Sequence, residues 1–158
     1  MSTSLLVGID VSSRDNKVRF LDSFGTSLAK FSIPNNKPGA ALLSERITKT
    51  MTSHGLDSLV IGLEATSVYG EPLVYFLKQD SNISRFKPKI HVLNPKQVHN
   101  FKKAYPELPK TDDVDSWVIS DYLRFNRIKQ EVYMDEKTIA LQKLTRARFH
   151  TAHDLTRE

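Results

Sequence analysis

The run Leu5-Leu6-Val7-Gly8-Ile9-Asp10 recurs in kind at Leu59-Val60-Ile61-Gly62-Leu63-Glu64. Each is an apolar stretch of strand length that ends in a carboxylate. Stretches this apolar read as buried strands, and two of them in one short chain would be neighbours in a sheet. Their acids would then sit at comparable strand ends. That pairing constrains the chain more than anything else in it, because it calls for an α/β domain with a charged site where two central strands finish.

The remaining elements fit around these two strands. Residues 17–21 and 27–33 alternate polar and apolar side chains across a Gly-containing break, which predicts a hairpin antiparallel to the first strand. Ala41, Leu42, Ile47 and Met51 approximate a helical stripe that stops near His54-Gly55. A second helix is expected over Glu71–Gln79, with Leu73, Phe76 and Leu77 at helical spacing and Pro72 in its first turn. A short strand, Lys89–Leu93, leads through Asn94-Pro95 into a short helix with Val98 and Phe101 on one side and Lys96, Lys102 and Lys103 on the other. A last core helix begins at about Asp112, with Trp117, Val118, Tyr122, Leu123 and Phe125 as its candidates for burial.

That helix opens on three carboxylates within four residues: Asp112, Asp113 and Asp115. Like charges so close repel unless a cation joins them or water surrounds them. On a helix Asp112 and Asp115 share a face, whereas Asp113 is turned about 100° from Asp112. Each acid taken alone also has a local reading. Asp10 suits a turn, Glu64 a solvated strand end, and Asp112 a helix cap favoured by the helix dipole. A pair of divalent ions roughly 3.5–4 Å apart activates water and stabilises the leaving oxygen of a phosphodiester. Surrounding two ions takes about four acids from separate elements. The chain has no cysteine, so carboxylates and histidines are its only strong ligands, and Mg²⁺ or Mn²⁺ is the expected metal. His150 and His153 lie three apart without a carboxylate at fitting spacing, and do not make a zinc site.

The charge distribution points toward a polyanion. Residues 85–110 hold seven Lys or Arg against one acid, Glu107, while the whole chain carries a net +5. His91, His99, Phe101 and Tyr105 are interspersed there, a mixture suited to phosphate contacts with some stacking. Lys96, Lys102, Lys103 and above all Lys110 are the candidate nucleic-acid contacts. No run reaches the roughly 18 apolar residues of a membrane span and no signal peptide opens the chain, so a cytoplasmic protein without membrane attachment is expected. Phosphate loops of the Walker type, dinucleotide fingerprints and nucleophile elbows are absent from the sequence.

The order is strand-acid, hairpin, helix, strand-acid, then a helix opening on acids. With Gly8-Ile9-Asp10-Val11-Ser12, Glu64-Ala65-Thr66, Tyr69-Gly70, Asn94-Pro95 and Lys110-Thr111-Asp112 with Asp115, it resembles the RuvC-like DEDD domain of the IS110 group of insertion-sequence transposases, also called bridge recombinases. The resemblance spans residues from about 5 to 150. It implies an RNase H-like α/β fold, with a mixed five-stranded sheet flanked by helices and followed by a long C-terminal helix. It also implies Asp10, Glu64, Asp112 and Asp115 as a metal-binding catalytic tetrad, acting on DNA phosphodiesters and directed by a structured guide RNA. Residues 1–130 would form the catalytic domain. Residues 131–158 would begin a helical region, sparse in apolar positions and suited to self-association, that leads to a further domain supplying a serine nucleophile. Ser12, Ser13, Ser67 and Ser116 lie near the acids, but none matches that nucleophile. Two other readings remain: a stand-alone Mg²⁺-dependent nuclease that resolves junctions, and a sugar-kinase or actin-like ATP-binding domain. The latter needs more glycine-rich phosphate loops than six glycines supply.

Overall fold

The computed structural model describes residues 3–64, 68–109, 111, 113–125 and 136–155. Five strands form one sheet: β1 (Ser4–Val11), β2 (Asp15–Leu21), β3 (Ser27–Pro34), β4 (Ser58–Glu64) and β5 (Lys89–Leu93), in the spatial order β3-β2-β1-β4-β5. The hairpin partners β2 and β3 run antiparallel, as do β1 and β2, whereas β1–β4 and β4–β5 are parallel. The two strands richest in apolar residues are therefore central, each bonded on both sides.

Both sheet faces are covered, which is why β1 and β4 read as continuous apolar runs rather than alternating ones. Leu5, Val7, Ile9, Leu59, Ile61 and Leu63 point into a core closed by α1 (Lys37–Ser53), α2 (Glu71–Gln79) and the one-turn α3 (Ser81–Ser84). On the opposite face Leu6 and Val60 meet α4 (Pro95–Lys102) and α5 (Asp113–Arg124) through Val98, Phe101, Val118, Ile119, Tyr122 and Leu123. A final helix, α6, runs over Glu136–Leu155, and the Lys143 ammonium lies 2.7 Å from Glu71 at the start of α2.

Local chemistry sets the helix starts. The Asn36 side chain accepts from Gly39 N at 2.9 Å and Pro38 sits in the first turn of α1, while Asn94 accepts from Lys96 N at 2.9 Å ahead of Pro95 in α4. The pair Asn94-Pro95 is thus a helix start. Three details differ from the sequence expectation. The buried stripe of α1 is Ala40, Leu43, Ile47 and Met51, whereas Ala41 and Leu42 are exposed, because the helix starts earlier and its phase is set by the sheet. Phe125, expected in the core, is 46% exposed just past the end of α5. The 3₁₀ turn Val68–Gly70 and α3 are too short to leave a periodic signal.

One buried carboxylate is not legible in the sequence. Asp121, 2% exposed in the middle of α5, accepts from Arg124 Nε at 2.6 Å and from the Tyr105 hydroxyl. Its charge is thereby balanced inside the structure, as a buried ion requires.

Candidate active site

Glycines let α5 lie directly on the sheet. Gly8 and Gly62 are register partners on β1 and β4. A Cβ on Gly8 would collide with Ser116 O and with Ser120 Oγ and N, and one on Gly62 would meet the Leu123 side chain. Ser116 and Ser120 are themselves small and buried, and the Ser120 hydroxyl lies 3.0 Å from both Ser116 O and Arg19 O, tethering the helix to β2.

Strand alternation then fixes where the acids point. Leu6 and Gly8 face α5, so Asp10 does too; Val60 and Gly62 face α5, and so does Glu64. The parallel register pairs Ile9 with Leu63, so Asp10 and Glu64 are the next residues along on adjacent strands. The first turn of α5 hangs over these strand ends and contributes Asp115. Burial first, then the charges of Asp10 and Asp115, together push the Glu64 carboxyl up from its ordinary 4.5 to about 7 against the opposing charge of Lys102. Glu64 of β4 is thus influenced by acids from two other elements, Asp10 of β1 and Asp115 of α5.

The nearby cations divide the remaining acids. Lys102 Nζ, from the end of α4, lies 2.6 Å from Asp115 Oδ1. Asp113 pairs instead with Lys30 of β3, and that contact, with help from Lys17 and Arg19, holds its carboxyl below the usual range. The helix thus turns Asp113 toward β3 and Asp115 toward β4 and α4. Lys96 and Lys103 are exposed on α4 and its end. Asp112 and Lys110 lie outside the described residues. His150 and His153 are exposed along α6.

Oxygen donors from Asp10, Glu64 and Asp115 suit a hard divalent cation, and Asp115 already holds the ammonium of Lys102. Among the described residues, no three His, Asp or Glu side chains are grouped so as to hold a metal ion by themselves. Donor chemistry and charge fit a divalent ion; the described groups do not complete its shell.

A linkage effect follows. Glu64 holds its proton more tightly in the folded state, so the stability tied to that proton is fully present below about pH 4.5 and is lost as pH rises through about 7. In metal-free buffer Glu64→Gln is expected to stabilise the protein at pH 8 by about 1–2 kcal/mol, allowing for solvent screening, and to change little at pH 4. Urea melts at the two pH values check this, and equal effects at both would contradict it.

An antiparallel β1–β2–β3 unit continued by parallel β4 and β5, with acids at the ends of β1 and β4 and on a helix crossing them, defines the RNase H-like class in its RuvC-like form. Solved structures agree on the fold. Thermus thermophilus RuvC is 10% identical with a TM-score of 0.52, covering 79% of this chain and 95% of that one. T. thermophilus RuvC in complex with Holliday junction substrate is 10% identical with a TM-score of 0.51, covering 82% and 97%. The chain belongs to the DEDD transposase family of the IS110 group, whose profile matches residues 7–158, and it is thus a transposase, an enzyme of DNA recombination. No curated protein is similar enough to match. No described helix is long and apolar enough to cross a membrane.

Proposed function

We propose that Asp10, Glu64, Asp112 and Asp115 form the catalytic tetrad of this transposase and hold Mg²⁺ or Mn²⁺ against a DNA phosphodiester, in the cytoplasm. The observation that carries this reading is the register that sets Asp10 and Glu64 side by side at the ends of β1 and β4, on the sheet face crossed by the helix that bears Asp115. When bound, the metal ions would supply an activated water or hydroxyl and stabilise the leaving oxygen.

The protein's own groups have separate tasks. Asp10 and Glu64 stand on central strands bonded on both sides, so their backbones are held rigidly. Asp115 rides on α5, whose position is set by Gly8 and Ser116. Glu64 gives up its proton when positive charge arrives beside it. A cation at Asp115 would take the place of the Lys102 ammonium there, leaving Lys102 to meet a phosphate, with Lys96, Lys103 and Lys110 extending that contact along the nucleic acid. Asp113, engaged by Lys30, takes no part in metal binding. Residues 1–130 form the catalytic unit in this reading. Within 131–158, α6 exposes Leu141, Leu144, Phe149 and Leu155, which supports self-association through this helix. A structured guide RNA is the expected further partner.

Mn²⁺ titration followed by electron paramagnetic resonance tests the site. Wild type is expected to bind the ion more tightly at pH 8 than at pH 6, because Glu64 must lose its proton. Asp115→Asn should weaken binding about tenfold or more. Equal binding by wild type and Asp115→Asn would remove Asp115 from the ligand set.

A further inference from the structure

The cations on the opposite side of the acids belong to none of the groups assigned so far. In the antiparallel register Lys17 pairs with Asp10, Arg19 with Gly8, and Lys30 with Arg19. Register partners share a sheet face, so Lys17, Arg19 and Lys30 lie on the side that carries α5 and the acids. They are drawn from β2 and β3, far in sequence from the basic segment 85–110. Lys102 flanks the acids from the α4 side, and these three flank them from the hairpin side.

We infer that Lys17 and Lys30 form a second phosphate-binding surface for DNA, placed so that one strand passes from Lys102 across the acids and onto the hairpin, and that Asp113 occupies this surface when DNA is absent. The inference deepens the proposed function and rests on it for the strand's position at the acids.

Three observations support it. Lys30 is half-exposed and its ammonium contacts the Asp113 carboxylate, an anion offered in the way a phosphate oxygen would be. Arg19 donates from Nη1 to Ser27 Oγ at 3.2 Å, so it is held in place; it is partly buried, as Lys17 is, whereas Lys30 is exposed. Lys17, Arg19 and Lys30 share the sheet face that carries α5, so their charges are presented together beside the start of that helix. A site for acids alone would repel DNA, and positive charge on both flanks removes that repulsion. Asp113 then has a role apart from the metal: it neutralises Lys30 until a phosphate displaces it.

The test measures binding of a labelled DNA duplex in EDTA, over a range of salt, so that metal ligation does not enter. Lys17→Gln with Lys30→Gln is expected to weaken binding about tenfold at moderate salt. It should also reduce the slope of log K against log[salt] by about 0.9 for each lysine, the signature of lost phosphate contacts. Asp113→Asn is expected to act in the opposite direction and tighten binding two- to fivefold. Mn²⁺ binding should be unchanged in all of these variants, and thermal melts should show them folded. DNA affinity and salt slope equal to wild type in the double variant would overturn the inference, as would a loss confined to RNA. Weakened Mn²⁺ binding in Asp113→Asn would overturn the role given to Asp113. Failure of wild type to bind Mn²⁺ would count against the tetrad, while the salt slopes would still decide for or against the hairpin surface.

Discussion

Asp10→Asn transposase is expected to lose Mg²⁺-dependent DNA strand cleavage by on the order of 10³-fold or more, while remaining folded. The substitution keeps the shape and removes the charge. If the tetrad works as proposed, the barrier rises by about 4 kcal/mol for a thousandfold loss, a size typical of removing one preorganised electrostatic partner of a transition state. The same substitution removes one of the charges that push the Glu64 carboxyl upward. The metal-free protein should therefore be as stable as wild type or slightly more so. That combination, inactive but not destabilised, separates a ligand from a structural carboxylate such as Asp121, whose loss would strand Arg124 and the Tyr105 hydroxyl. Cleavage of a labelled DNA substrate and a melting curve measure the two halves. Activity within tenfold of wild type would remove Asp10 from the catalytic set.

Gly8→Ala is expected to be far more damaging than Gly62→Ala, although each adds a single methyl group. The added carbon would meet Ser116 O, Ser120 N and Ser120 Oγ, two of them main-chain atoms of α5. A helix main chain cannot step aside locally, so α5 must lift from the sheet and lose contacts along its length. A cost on the order of 3 kcal/mol is expected, which lowers the melting temperature by about 10 °C for a domain of this size. Gly62→Ala supplies the comparison. There the new carbon meets atoms of the Leu123 side chain, the nearest at 2.8 Å, and a side chain can shift its rotamer. Its cost should be clearly smaller. Because Asp115 rides on α5, Gly8→Ala should also weaken Mn²⁺ binding in whatever fraction stays folded. Equal melting temperatures for the two alanine variants would contradict this account of how the helix is seated.

The recurrence of Gly-Ile-Asp in β1 and Gly-Leu-Glu in β4 carries more information than its acids alone. The acids are legible as site candidates from the sequence, whereas the glycines acquire a reason only in the fold: a glycine two residues before each acid is the trace of the helix that crosses them. Helical geometry separates Asp113 from Asp112 and Asp115, and its contact with Lys30 gives that separation a physical partner. Basic character is concentrated by the sequence in residues 85–110. Lys102 from that segment does reach the acids, whereas Lys17, Arg19 and Lys30 are scattered among the polar positions of a hairpin and stand out only once its register is known.

The strands, their order of appearance, the hairpin, the helices longer than two turns and the acids that close β1 and β4 are all determined by the sequence itself. Apolar runs, alternation and helical periodicity are local properties, readable without knowing what packs on them. Only the tertiary structure decided the register of β1 against β4, that α5 rests on paired glycines, that Glu64 feels both Asp10 and Asp115, and that Asp113 faces the hairpin while Asp115 faces α4. Most of those relations join residues far apart in the chain through sheet register and helix phase, which are settled when the two cores pack and leave no mark in any single stretch of chain.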